Sequence, residues 1–291
     1  MNVDNLAVTF DEIFFRMKFF FVIGTVFFCF PLFGQYYYND LLANNQSNRQ
    51  YQLLRSNKIR YVKVTSFDAD NKQSTGFSLS QKFSPDYKKL ITTSALDSNE
   101  ASILTTSYEN NKVTATSTII KGIETKTEYL YDEKGLLQKI ISSSIDTALN
   151  SNAAEQHIWF YTAKNQPDYM LKIKNGNDTT RVEFINDEHG NVVEEHWKKR
   201  NLSLETYYYY YNENNLLTDI VRFNKRAQRL LPDFLFEYDD QGRVVQMKQV
   251  PAGSSNYLIW KYVYNAAGLK QEEICQDKQK LLVGRIEYSY Q

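Results

Sequence analysis

The 291-residue sequence predicts an all-β fold. The expected form is an antiparallel meander of repeated hairpins forming a curled, repeat-type sheet, with an N-terminal signal helix and one short helix near 47–56. Three observations lead there. Beyond residue 57 apolar and polar residues alternate in runs rich in Thr, Val, Ile, Tyr and Phe, the chemistry of half-buried strands. Turn-forming residues recur at near-constant spacing. Aromatic residues stand at fixed offsets before those turns.

The N-terminus comes first. Ten of the 18 Phe lie in residues 1–34, and Phe19–Phe33 carries no charge. That run is too short for a bilayer span, which takes ~20 residues. Arg16 and Lys18 precede it; Pro31 and Gly34 follow. A basic region, a short apolar stretch and a small residue form the layout of a secretory signal peptide. Residues 1–34 are therefore expected to be a signal peptide cut after Gly34. Met17 is the better start, because Asp4, Asp11 and Glu12 suit a signal poorly. An uncleaved anchor is the alternative, and would be the only membrane contact expected. The phenylalanine-rich segment followed by Gln35-Tyr36 is similar to that of exported proteins of the Bacteroidota. Residues 35–57 read as a leader with a short helix, since Ser47-Asn48-Arg49-Gln50 fits a capping box ahead of Tyr51, Leu53 and Leu54.

Residues 58–291 read as the β-repeat domain, with the clearest repeats over 125–291. Tyr131-Asp132-Glu133-Lys134-Gly135 sets the pattern: an aromatic, then Asp or Asn, two residues, then Gly or Asn. It recurs at Tyr211–Asn215, Tyr238–Gly242 and Tyr264–Gly268, loosely at Phe67–Asn71, and degenerately at Tyr161–Asn165 and Asn186–Gly190. The closing Gly or Asn falls at 135, 165, 190, 215, 242 and 268, a period of 25 to 30 residues. Asp or Asn opens a type I turn by accepting from its own backbone; Gly or Asn then takes the left-handed conformation and leaves a bulge.

A second aromatic stands two residues before each turn aromatic: Tyr129, Trp159, Tyr209, Phe236 and Tyr262. Residues two apart share a strand face. These five, with Tyr131, Tyr161, Tyr211, Tyr238 and Tyr264, are expected as two columns on one face. Leu130, Phe160, Tyr210, Glu237 and Val263 are expected on the other.

The motif Tyr-x-Tyr-Asp-x-x-Gly-Leu-Leu, whole at Tyr129–Leu137 and similar at Phe236–Val244 and Tyr262–Leu269, resembles the tyrosine-aspartate (YD, or RHS-type) repeat. The resemblance implies a long curling β-sheet and an extracytoplasmic setting. Large members of that family wrap a toxic C-terminal domain. This chain is too short to enclose one and lacks the family's Asp-Pro-x-Gly-Leu cleavage motif. No catalytic residue carries over.

Composition narrows the function classes. With 34 basic and 34 acidic side chains the basic excess of a nucleic-acid binder is missing. No P-loop, dinucleotide fingerprint, nucleophile elbow or metal-ligand spacing is present, so no cofactor, no metal and no catalysis are expected. His189, Glu194 and His196 are the nearest approach to a reactive group, and read as structural. Asp68, Asp70, Asp239 and Asp240 read as turn residues rather than calcium ligands. Cys275, the only cysteine after residue 34, reads as a half-buried strand residue.

The expected function is an exported, non-catalytic β-repeat protein acting as a binding or structural module of the cell envelope or extracellular space. The alternatives are a carrier of a lipid or other apolar ligand, and a glycan-active enzyme. The candidate binding residues are Trp159, Tyr209, Phe236, Trp260 and Tyr262, the two tryptophans as exposed platforms. The expected partner is a glycan, an envelope protein or an apolar ligand.

Overall fold

The computed structural model describes residues 36–96, 101–120, 123–146, 151–200, 202–224, 227–251 and 256–291. The segment read as an export signal lies outside them. The described chain enters through one helix, α1 (Asn39–Ser56). Strands follow: β1 (Tyr61–Asp68), β2 (Phe77–Phe83), β3 (Lys89–Leu96), β4 (Ser102–Glu109), β5 (Lys112–Ile120), β6 (Ile123–Tyr131), β7 (Leu137–Asp146), β8 (Ser151–Tyr161) and β9 (Pro167–Lys174). They continue with β10 (Asp178–Asn186), β11 (Val192–Lys199), β12 (Leu202–Tyr211), β13 (Leu217–Asn224), β14 (Arg229–Tyr238), β15 (Val244–Gln249), β16 (Leu258–Tyr264), β17 (Lys270–Gln276) and β18 (Leu282–Tyr290).

Each strand pairs antiparallel with its successor, and β1 pairs with β18 from Val62↔Tyr290 to Asp68↔Gly284. The eighteen described strands therefore form a closed antiparallel barrel. This corrects the open, curled repeat sheet expected from the sequence. The repeat period fixes each hairpin but says nothing of the count at which first and last strands meet. Closure removes two rows of unpaired N–H and C=O groups that an open sheet would expose. The seam is specific. Val62, Val64 and Ser66 of β1 and Ile286 of β18 are buried, and a Cβ at Gly284 would stand 3.0 Å from the Phe67 carbonyl oxygen.

The turns follow the local chemistry. Asp132, Asp187, Asn212, Asp239 and Asn265 each accept, through Oδ1, the N–H of the residue four positions on. Left-handed φ values of 58° to 87° occur at Gly135, Asn165, Gly190, Asn215, Gly242 and Gly268. The register slips by one residue beside each of these turns, the mark of the bulge.

The repeated aromatics face the inside of the ring, and Leu130, Tyr210 and Val263 are exposed on its outside. The turn-proximal tyrosines are tied down. Tyr131, Tyr161, Tyr211, Tyr238 and Tyr264 donate their hydroxyls to the carbonyls of Val113, Leu137, Val192, Leu217 and Val244, at 2.8, 2.6, 2.8, 2.5 and 2.9 Å. Each acceptor lies at the start of the preceding strand, so one hydroxyl stitches one repeat to the next. Tyr290 does the same to Lys270 at 2.5 Å.

Eighteen strands at ~4.8 Å spacing give a ring roughly 27 Å across before tilt. A ring of that size is too wide for its own side chains to fill. Helix α1, 18 residues and so ~27 Å long, lies within it. Asn44 Nδ2 donates to the Tyr131 hydroxyl, Asn48 Oδ1 accepts from Val113 N, and Tyr51 stacks on Tyr108 with centroids 3.9 Å apart. The residues just before the helix reach β8 to β14. A segment touching inward side chains from β4 round to β14 is inside the ring.

The helix also corrects the expectation of a short helix at 47–56, because Ser47 and Asn48 lie in its third turn. Tyr38, at the N-cap, provides no side-chain cap. The cap comes from β11, 157 residues away in sequence, where no local pattern reveals it.

Loss of a single stitching hydroxyl, in Tyr161→Phe or Tyr264→Phe, is expected to lower unfolding free energy by about 0.5–1.5 kcal/mol. The two repeats are far apart, so the double variant should equal the sum within ~0.5 kcal/mol. Urea unfolding of the four proteins checks both statements.

Candidate ligand chamber inside the barrel

The inward position five residues after each turn Gly or Asn is apolar in four repeats: Ile140, Met170, Ile220 and Met247. In two it is a carboxylate, Glu195 and Glu273. Both are buried, at 0% and 1% exposed. Each accepts from the tyrosine two residues before the next turn tyrosine: Tyr209 to Glu195 at 2.6 Å, Tyr288 to Glu273 at 2.8 Å.

They are neutralised differently. Lys270 Nζ lies 2.8 Å from Glu273 Oε1. Around Glu195 the remaining donors are uncharged. Its two oxygens accept the backbone N–H groups of Tyr37 (2.7 Å) and Tyr38 (2.8 Å), and Trp197 Nε1 donates at 2.5 Å. Burial raises the pKa of Glu195; the four donors pull it back in part, and it stays above the ordinary carboxylate value. The carboxylate also meets the positive end of the α1 dipole, which favours an anion there.

The second polar station is on β8. His157 Nδ1 lies 2.6 Å from Asp40 Oδ2 in the first turn of α1, and Nε2 lies 2.8 Å from Glu155 Oε1. Lys172 Nζ stands 3.1 Å from the same Glu155 oxygen. Burial opposes a charged imidazole, but Asp40 and then Glu155 outweigh it and raise the His157 pKa to about 9. Burial likewise opposes a charged Glu155, and His157 and Lys172 outweigh it, holding its carboxyl near 2. His157 is therefore a cation donating to two carboxylates at neutral pH.

Between these stations three consecutive tyrosines fit against the wall. Tyr36 lies 5.9 to 6.0 Å from the rings of Tyr207, Tyr209 and Phe234. Tyr37 is edge-on to His157 at 5.4 Å and 4.6 Å from Trp197. Tyr38 meets Tyr209 at 5.2 Å and Phe184 at 6.5 Å, and Trp159 stacks on Phe184 at 5.0 Å.

Of the five residues singled out from the sequence, Trp159 and Tyr209, both 2% exposed, belong to this chamber, and Phe236 packs against it. Trp260 and Tyr262 form a separate inward cluster with Cys275. The two tryptophans lie within the wall rather than on its outer surface. Sequence reasoning missed Glu195, His157 and Tyr36–Tyr38. The available signals were a carboxylate at an apolar repeat position and three tyrosines abutting a helix.

The remaining candidates are dispersed. His189 sits in a turn at 60% side-chain exposure. His196 bonds Glu194 at 2.7 Å on the outer wall, beside a groove of about 330 Å³ lined by Asp168, Arg181, Glu183 and Lys198. Among the described residues no group of three or more His, Cys, Asp or Glu is placed to hold a metal ion. Asp68 and Asp239 serve their own turns, accepting from Ser74 Oγ and Arg243 N. Cys275 is buried, and burial pushes its thiol up to about 12, out of the reactive range.

No protein-family model matches the chain, and a search of curated proteins finds no match. Among solved structures the chain is similar to a porin-like protein from Bacteroides uniformis, at 7% identity and a TM-score of 0.38, over 80% of this chain and 98% of that one. It is also similar to a Tc holotoxin pore of Photorhabdus luminescens, at 11% identity and a TM-score of 0.34, over 74% of this chain. A TcdB2-TccC3 structure without its hypervariable C-terminal region gives 9% identity, a TM-score of 0.34 and the same 74%. This chain spans only 12% of each of those two toxin chains.

Glu195→Gln keeps the shape but turns an amide N–H₂ against a backbone N–H. A loss of about 2–4 kcal/mol is expected, with faster hydrogen exchange at Tyr37 and Tyr38. Unchanged exchange at those amides would remove Glu195 as the anchor.

The His157 pKa is raised in the folded chain. Its stabilisation is therefore complete below about pH 6.5 and lost as pH rises through about 9. Raising pH from 7 to 10 should cost on the order of 3 kcal/mol. His157→Asn should flatten that dependence, as followed by urea midpoints at the two pH values.

Proposed function

We propose that this protein is a short YD/RHS-type repeat protein, exported to the cell envelope or extracellular space, that acts as a non-catalytic binding module and holds a ligand inside its ring. The carrying observation is the direction of the aromatic face. Every clear repeat turns its rings into a lumen too wide for the wall to fill. Phe236, Met247 and Leu258 face inward yet are only half-buried, as are Thr127 and Ser142 on the facing side. Side chains that face inward and still meet solvent border usable interior space, and aromatic-lined concavities suit apolar ligands.

The outer wall carries paired charges, Lys126 with Glu128, Arg181 and Lys198 with Glu183, and Arg285 with Glu272, and between them exposed apolar side chains such as Ile91, Ile103, Ile119, Leu130, Phe223 and Val263. The YD/RHS assignment is supported by the recurrence of one turn geometry and one tyrosine stitch through the repeats.

Uptake of N-phenyl-1-naphthylamine, which brightens in apolar surroundings, tests the binding role. Saturable brightening is expected. Met247→Asp should weaken it roughly tenfold, ~1.4 kcal/mol, whereas Leu130→Asp on the outer wall should not. No brightening, or equal loss in both variants, would remove the lumen as the site. A chain recovered outside the cytoplasm with Gln35 first is the expected result of N-terminal sequencing.

A further inference from the structure

We propose that the inward cluster spanning β15 to β18 is a subsite for the hydroxyl group of a neutral, apolar alcohol, read by Trp260 Nε1 and Glu273 Oε2. The proposal rests on the lumen-binding reading and names the class of ligand.

Polar atoms withdrawn from water normally find partners, because an unpaired buried donor or acceptor is costly. Two that do not find them stand side by side here. Trp260 is 2% exposed and Glu273 is 1% exposed. Among the described residues neither Trp260 Nε1 nor Glu273 Oε2 has a hydrogen-bond partner. Strands β16 and β17 pair Trp260 with Cys275 and Tyr262 with Glu273. Trp260 and Glu273 are therefore diagonal neighbours on the inner face, ~7–8 Å apart along the wall and within reach of long side chains. One atom is a donor and the other an acceptor, yet they do not bond each other. A hydroxyl lying between them would accept from the indole and donate to the carboxylate at once.

Charge fixes the ligand as neutral. Lys270 Nζ and the Tyr288 hydroxyl both go to Glu273 Oε1, each at 2.8 Å. The carboxylate already has its counter-ion, so a cationic ligand would add an uncompensated buried charge. An anionic head would face the carboxylate itself. Oε2 lacks a donor and not a charge. Glu195, at the equivalent repeat position, differs in this respect: both of its oxygens are taken by the protein's own donors.

The surroundings supply the apolar part. Met247 pairs with Trp260 across β15 and β16, and Leu258 lies two residues before Trp260 on the same face. Met247 and Leu258 are half-buried, whereas Trp260, Tyr262 and Cys275 are buried. A hydrocarbon laid along Met247 and Leu258 would bring its hydroxyl to the Trp260–Glu273 pair. A scaffold alone needs no indole there. The position four residues before the turn tyrosine is Tyr207, Phe234 and Ile286 in other repeats, and phenylalanine packs without an N–H to satisfy. Trp159 Nε1 is also unpartnered, but β7 and β9 beside it hold no unpartnered acceptor among the described residues.

The test uses the full chain and compares octanol with chlorooctane, which has a similar shape and lacks the hydroxyl. Each competes with bound N-phenyl-1-naphthylamine, and the indole N–H signal of Trp260 is followed by NMR in protein labelled with nitrogen-15 tryptophan. Octanol is expected to displace the dye at roughly tenfold lower concentration than chlorooctane, and to move the Trp260 signal. Trp260→Phe should cut that preference to about threefold or less. Equal displacement by the two probes, or a full preference that survives Trp260→Phe, overturns the proposal. So does a Trp260 signal that octanol leaves in place, the result expected if only water bridges the pair. If Trp260→Phe does not fold, the indole signal of the unaltered chain decides. Naphthylamine uptake with neither displacement by octanol nor a moved signal would defeat the alcohol site and spare the lumen; absence of uptake would defeat both.

Discussion

A ring of eighteen strands encloses more space than its own side chains can occupy, and this constraint organises the molecule. The wall is regular because regularity is cheap: one turn, one bulge and one tyrosine hydroxyl recur from repeat to repeat. The interior cannot be regular in the same way. It is partly occupied by α1 and the tyrosines ahead of it, and those contacts are irregular, polar and specific. Glu195 and His157 hold the helix at its N-terminal end, while Tyr51 stacks on Tyr108 towards its other end.

The informative residues are the ones that break the repeat. Glu195 replaces an aliphatic side chain, loses hydration on burial and recovers it from four donors. Glu273 makes the same substitution but meets a lysine. Both use the tyrosine of the following repeat, so a single inherited geometry serves as a structural ion pair in one place and as a backbone anchor in the other. Periodicity marks what the wall needs, and departures from it mark what the interior does.

Much of the wall was legible in the sequence, and for a physical reason. Strand alternation, Asp or Asn turn openers and left-handed Gly or Asn positions are local, and local chemistry decided them. That Tyr129 and Tyr131 share a face followed from the two-residue period; that this face is the inner one did not, because the period does not say which side of the sheet is enclosed. Ring closure was not legible, because the pairing of Val64 with Tyr288 joins residues far apart whose own patterns are those of any strand. The extent of α1 was missed for a related reason. Ser47 resembles a cap by local pattern, whereas the true N-terminal acceptor is a side chain from β11. The candidate site was half visible: Trp159 and Tyr209 stand in the repeat, but Glu195 draws its meaning from a segment 157 residues upstream.

α1 is joined to one sector of the wall, through Tyr131, Val113 and Tyr108, while the tyrosines ahead of it reach Glu195 and His157 further round. Each added or deleted hairpin changes the circumference by two strands, and the diameter by roughly 3 Å. A hairpin duplicated between β6 and β11 would therefore move these two sets of contacts apart, so copy number in that sector is coupled to the one segment that joins them.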